Sequence, residues 1–294
     1  MLSPTLSSAA ETYQTDFENF SVGKRTPQVN GQPIIDDPDP TANWRGDGIT
    51  GLGGQGDYDA EIEDLGGTRG NVFRQNNPNS AATGNYDTTH PATPALQPAG
   101  ESTTGAPNNQ FNFSFDFRAA TTDVQENLDV RATPFESGTA NRNGLLQFSD
   151  SASDGFKVGW FDYVNGFRFT DIETGLARNE WHSVSVEMLF NDGAANDDVN
   201  IDVNGTELAL TSWEGFYRDQ QPSAVFPTTS LVDSVIFRVP NGGNSEGNGV
   251  YFDNLSVSTQ VSQTSEIPVP SSFVLLAIGL VGLGATLNSQ SRTG

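Results

Sequence analysis

The chain has 294 residues with 37 Asp and Glu against 14 Lys and Arg, a formal charge of −23, 2 histidines and no cysteine. Such an excess of negative charge repels a phosphate backbone and anionic lipid, so nucleic acid is excluded as a partner. Without thiols there are no disulfides, thiolate zinc sites, iron–sulfur sites or cysteine nucleophiles, which leaves metals that take oxygen ligands, calcium foremost.

The N-terminus, "MLSPTLSSAAETYQ", lacks a basic stretch followed by an apolar one, yet the small residues Ser7 to Ala10 before Glu11 have the character of a signal-peptidase site. Residues 1–10 read as the remnant of a signal peptide or, equally, as a frayed end. From Tyr13 to Ser258 apolar residues recur at alternate positions in short runs separated by Gly, Asn, Asp and Pro, the pattern of antiparallel sheet. Residues 11–258 are therefore read as one all-β domain, opened by the strand "YQTDFENF". Two segments, Ser21 to Gln55 and Gln75 to Asn109, are rich in Pro, Gly, Asn and Thr and read as long loops. In the first, "GDGITG" and "GLGGQG" both fit G-x-G-x-x-G. No helix follows to receive a pyrophosphate, so these are read as turn glycines.

Between the two lies "GDYDAEIEDL". A strand here puts Asp57, Asp59, Glu61 and Glu63 on one face at steps of about 6.6 Å, with Tyr58, Ala60 and Ile62 on the other. Glycoside hydrolysis by retention needs two carboxyls about 5 Å apart, one of them protonated, which makes Asp59, Glu61 and Glu63 candidate catalytic residues. The competing reading is a solvated strand face helped by a cation.

The clearest strand is "QFNFSFDFRA", with Phe111, Phe113, Phe115 and Phe117 on one face and Asn112, Ser114, Asp116 and Arg118 on the other. Four phenylalanines facing one way need a second layer, hence two packed sheets. Further strands are "ENLDVRA", "GLLQFS", "GFKVGWFDY", "GFRFTDI", "WHSVSVEMLF", "DVNIDVNG", "TELALTS", "VDSVIFRV" and "GVYFDNLSVS". Asn204 and Gly205 form the turn of a hairpin, because a tight turn between twisted strands wants positive φ at both central residues. Beyond it, "SWEGFYRDQQP" offers Trp213, Glu214, Tyr217 and Arg218 as a candidate ligand site, an aromatic face for sugar C–H groups beside a carboxylate and a guanidinium for hydroxyls. The alternative is a plug for a sheet edge with an ion pair. His182 reads as structural and His90 as a loop residue. No G-x-S-x-G, Walker A or H-E-x-x-H sequence occurs, and no paired basic and His/Tyr constellation of a lyase is visible along the chain.

"EWHSVSVEMLF", "DVNIDVNG" and "VYFDNLSVS" together resemble the concanavalin A-like jelly roll of laminin-G-type modules, legume lectins and many glucanases. The resemblance implies a two-sheet antiparallel β-sandwich whose last strand returns beside its first, and carbohydrate as the ligand class. It also implies a structural calcium clamped between those strands, for which Asp16 and Glu18 on the first and Asp253 on the last are the candidates. The laminarinase-like branch carries Glu-x-Asp-x-x-Glu on one strand; the order here is Asp59-x-Glu61-x-Glu63, so that assignment does not transfer.

After a polar linker, 259–266, the chain ends "IPVPSSFVLLAIGLVGLGATLNSQSRTG". Phe273 to Leu287 would form a helix of about 22 Å, and Ser271 to Asn288 one of about 27 Å. Against a hydrocarbon core of about 30 Å this is a short membrane span at 271–288, with a buried core helix as the competing reading. A Pro-containing tripeptide directly before a short apolar helix resembles the PEP-CTERM sorting signal of exported bacterial proteins. The family's Pro-Glu-Pro is here Pro268-Val269-Pro270, and its closing arginine cluster is Arg292 alone. What this resemblance implies for 267–294 is transient anchoring in the inner membrane, recognition by an exosortase, and release to the cell surface or an extracellular polysaccharide matrix. The expectation is an exported protein with a carbohydrate-binding jelly roll; a glycan-active enzyme and a purely structural matrix protein stay open.

Overall fold

The computed structural model describes residues 10–25, 44–48, 59–76, 89–137, 144–163, 167–193, 196–211, 231–239 and 248–262. The strands among them are β1 (Glu11–Thr15), β2 (Gly23–Arg25), β3 (Arg45–Gly48), β4 (Asp59–Asp64), β5 (Asn71–Asn76), β6 (Thr89–Ala92), β7 (Gln110–Ala119) and β8 (Leu128–Phe135). They continue as β9 (Leu145–Asp150), β10 (Phe156–Tyr163), β11 (Phe167–Leu176), β12 (His182–Leu189), β13 (Asp198–Val203), β14 (Thr206–Thr211), β15 (Ser234–Arg238) and β16 (Val250–Gln260). Apart from one 3-10 turn at Ser102–Thr104 the described residues hold no helix, and so none long and apolar enough to cross a membrane. The apolar tail lies outside the described residues.

The strands form an all-β, two-sheet antiparallel sandwich. The nine-stranded sheet runs β14-β13-β12-β7-β16-β5-β4-β2, with β1 also on β16; the seven-stranded sheet runs β11-β10-β9-β8-β15-β6-β3. As the resemblance implies, the first strand lies beside the last, with Glu11 opposite Thr259 and Thr15 opposite Leu255. Strand β16 serves two neighbours on one edge, pairing with β5 over Val250–Phe252 and with β1 over Leu255–Thr259. A bulge between Asp253 and Ser256, where Asn254 takes φ 50°, makes the handover.

The alternation in β7 decides which way the sheet faces. Phe111, Phe113, Phe115 and Phe117 are buried, and the rings of Phe115 and Phe117 meet the opposite sheet at Phe148 and Phe237. The contact is tight, with Phe117 to Phe148 at 4.8 Å and Phe73 edge-on to Phe237 at 5.3 Å. Trp44 closes one end, fully buried, its indole N–H donating to the Tyr13 hydroxyl at 2.8 Å. Rings of this size supply most of the burial that offsets chain entropy.

The predicted hairpin is present between β13 and β14, with Asn204 at φ 52° and Gly205 at φ 85°. Asn204 also orders its surroundings. Its Oδ1 accepts the Ser183 N–H at 3.0 Å, which turns the amide Nδ2 toward His182 Nδ1, also at 3.0 Å. The proton of the imidazole is thereby assigned to Nε2, which donates to the Ala177 carbonyl at 2.8 Å. His182 is structural, as read.

Three departures from the sequence reading are short strands or ends. β2, β3 and β6 lie inside the two segments read as loops; at three or four residues they show no period of their own and are held by pairing to β4 and to each other. "GDGITG" begins on edge strand β3, where Gly46 faces Pro91, so Gly46 and Gly48 are strand rather than turn glycines. Strand β16 runs to Gln260, two residues into the expected linker, because Thr259 is buried opposite Phe111.

Candidate functional site

Strands β7, β12 and β13 of the nine-stranded sheet each bury one row of side chains and leave the alternate row exposed or half-buried. Registered across β14, β13, β12, β7, β16 and β1, that outer row forms a trough about 24 Å long at the usual strand spacing. Its main groove, about 530 Å³, is lined by Asn112, Ser114, Ser185, Glu187, Asn200, Asp202, Glu207, Ser256 and Ser258. A smaller recess of about 180 Å³ continues it through Ser183 and Asp116 to Asn254. The side chains of Ser114, Ser185, Glu187, Asn200 and Glu207 have no protein partner among the described residues. They are free to bond a ligand without breaking a native contact.

Toward β5 and β4 the same face changes character. Arg69, from the turn between those strands, donates through Nη1 to Asp116 Oδ2 at 2.6 Å and Asp253 Oδ2 at 2.9 Å, and lies 4.4 Å from the centre of the Trp181 ring. Arg118 sits 5.2 Å from the Trp181 and Tyr251 rings and has no carboxylate partner among the described residues. Arg74 sits between two carboxylates, Nη2 at 2.5 Å from Glu61 Oε2 and Nε at 2.5 Å from Glu63 Oε1. Tyr251 donates its hydroxyl to Glu63 Oε2 at 2.7 Å. Burial first, then this bond, pushes the Tyr251 phenol up to about 12, so it stays protonated at neutral pH. Asp253 is raised above the usual carboxylate range by burial, against the downward pull of Arg69.

Of the acidic ribbon, Glu61 and Glu63 lie on the outer face of strand β4 with Ala60 and Ile62 buried behind them, while Asp57 and Tyr58 lie outside the described residues. Their cation is Arg74 on the neighbouring strand, paired with Glu61 and Glu63. Asp59 opens β4 opposite Asn76. Of the calcium candidates, Asp253 is on β16, whereas β1 ends at Thr15, so Asp16 and Glu18 lie in the turn after the first strand rather than on it. Asp253 is held by Arg69, and Asp16 bonds locally, accepting the Glu18 N–H at 3.2 Å. Among the described residues no three His, Asp or Glu groups gather where they could hold a metal ion. Trp213, Glu214, Tyr217 and Arg218, and the motif Pro268-Val269-Pro270, lie outside the described residues.

Sequence reasoning missed the arginine and aromatic cluster. Arg69, Arg74, Arg118, Trp181 and Tyr251 come from separate places in the chain and meet only through register, Tyr251 opposite both Arg74 and Arg118. The one local signal was the position of Arg118 on the polar face of the phenylalanine strand. Tyr251 thereby gains a basic neighbour on each adjacent strand.

The fold and its open polar face define an antiparallel β-sandwich protein of the jelly-roll class. No protein-family profile matches the chain, and no curated protein matches it. Among solved structures it is similar to the CBM2 module of Lactobacillus casei BL23 phage J-1 evolved Dit, with 12% identity over 87% of this chain and 99% of that one and a TM-score of 0.45. It is similar also to the endo-1,3-beta-glucanase from Streptomyces sioyaensis, with 12% identity over 89% and 100% of the two chains and a TM-score of 0.42. Alginate lyase vAL-1 from Chlorella virus follows at 11% identity over 72% and 99%, with a TM-score of 0.40.

Proposed function

We propose that this is an exported surface or matrix protein whose nine-stranded sheet binds polysaccharide along its outer trough. The observation that carries the reading is the row of uncommitted hydroxyl, amide and carboxylate groups across β14, β13, β12 and β7. A sugar hydroxyl both donates and accepts, so a regular array of small polar side chains with no internal partners matches a chain of sugars better than an apolar ligand. Export, transient anchoring in the inner membrane and exosortase sorting rest on Ser7 to Ala10 and on the tail from Ile267.

A glycan array probed with the full chain, with and without calcium, tests the binding. Retention of at least one polysaccharide is expected; none in either condition sinks the reading and leaves a structural matrix protein. Mass spectrometry of secreted material from the native host tests the sorting, where an intact C-terminus would contradict it. A second reading, a glycan-active enzyme, is favoured by Glu61 and Glu63 lying beside Tyr251 and Arg74. Its mark would be turnover of a β-glucan that disappears in Glu61→Gln and Glu63→Gln.

A further inference from the structure

We propose that the bulge at Asn254 is the subsite of the trough that reads an individual sugar, and that it takes an uncharged pyranose through neighbouring hydroxyls. This rests on the polysaccharide reading above and narrows it to a position and a ligand class.

Asn254 holds φ 50° in the middle of the longest strand of the sheet, a conformation that side chains other than glycine adopt at a cost. The bulge itself has an architectural task, the transfer of the β16 edge from β5 to β1. Glycine would perform that task with less strain. What asparagine adds is an amide on the outer face, exposed between two buried neighbours, Asp253 and Leu255.

The contacts of that amide define a half-filled polar site. Asn254 Nδ2 donates to Asp116 Oδ2 at 2.8 Å, the oxygen that also receives Arg69 at 2.6 Å. Asp116 Oδ2 is therefore committed, while Asp116 Oδ1 and Asn254 Oδ1 accept nothing from the described residues. Both residues line the recess of about 180 Å³, together with the hydroxyls of Ser114, Ser183 and Ser185 and the carboxylate of Asp202. Free acceptors, an amide N–H and rotatable hydroxyls side by side match a pair of sugar hydroxyls, each of which gives one hydrogen bond and takes another. A carboxylate or sulfate group can only accept. It would meet Asp116, Asp202 and the Asn254 carbonyl oxygen with nothing to offer them, at a place where negative charge already faces it.

Isothermal titration of the full chain in mild detergent, with laminarihexaose and cellohexaose as uncharged probes and an alginate hexamer as the carboxylate probe, tests the subsite. Wild type is expected to bind an uncharged hexamer, and the alginate hexamer at least about tenfold more weakly. Asn254→Gly is expected to weaken that binding by about tenfold or more with a melting temperature close to that of wild type, the relief of φ strain offsetting the lost bond to Asp116 and the added freedom of the unfolded chain. If Asn254→Gly melts lower than wild type, Ser185→Val, which only fills the mouth of the recess from an exposed strand position, is expected to give the same loss. Binding within about twofold of wild type in the variants, or alginate bound as tightly as the uncharged probes, overturns the subsite and leaves the trough reading standing. Failure of wild type to bind any glycan overturns both.

Discussion

The surroundings of Tyr251 displace its titration upward. Its phenol, ordinarily at 10.0, is raised to about 12 because the ring is buried and its hydroxyl donates to Glu63. The folded state therefore keeps a proton that the unfolded chain gives up first. The stabilisation tied to that proton is complete below the unfolded value of 10.0 and is lost as pH climbs through the folded value of about 12. The loss amounts to about 2–3 kcal/mol by linkage. Tyr251→Phe has no proton to lose there, so its stability is expected to change less between those limits. Urea unfolding of both proteins across the range measures the difference, and parallel curves would mean that Tyr251 titrates like an exposed tyrosine. The same bond limits chemistry at neutral pH, since a phenol held protonated by a carboxylate does not serve as a base.

At the scale of elements, the hairpin between β13 and β14 links local conformation to tertiary order. Asn204 supplies the left-handed φ of the turn, accepts the Ser183 N–H and donates to His182. Asn204→Ala is expected to cost about 1–3 kcal/mol, from the strained φ and from polar groups left unpaired. Asn204→Gly keeps the turn and loses only the amide contacts, so a smaller shift in the urea midpoint is expected; equal losses would show that the side-chain bonds are all that matters. This element was legible in the chain because two adjacent residues carry its geometry. So was β7, whose four phenylalanines repeat the period often enough to expose it. Strands β2, β3 and β6 were not legible, since a run of three or four residues among Gly and Pro shows no period and exists through its partners. The candidate site divides in the same way. Glu61 and Glu63 were placed on their face correctly, while Arg74, which pairs with both, belongs to the next strand and becomes a neighbour only through the register of Ile62 with Phe73. The bulge at Asn254 had no signal beyond the residue itself, because a bulge is defined by the strands it reconciles.

Over the whole molecule, charge is distributed with a bias. On the outer face of the nine-stranded sheet, Glu61 and Glu63 share Arg74, and Asp116 and Asp253 share Arg69, whereas Glu187 and Glu207 have no basic partner among the described residues. Asp202 stands directly opposite Glu207, a like-charge pair that weakens the hairpin. With a net charge of −23, self-repulsion is expected to make the protein less stable at low ionic strength. Its melting temperature should rise as NaCl is increased from about 0.01 to about 0.5 M, over which the screening length falls several-fold. A flat response would mean that the charges lie too far apart to act on the folded state. The place of β16 has a further, mechanical consequence. Strand β16 ends at Gln260, and it is bonded to β7 on one side and to β1 and β5 on the other. A pull transmitted through the chain beyond Gln260 would therefore run along this strand and load its two ladders in shear, many bonds sharing the force at once. An edge strand would peel bond by bond; a strand bonded on both sides resists with both ladders together.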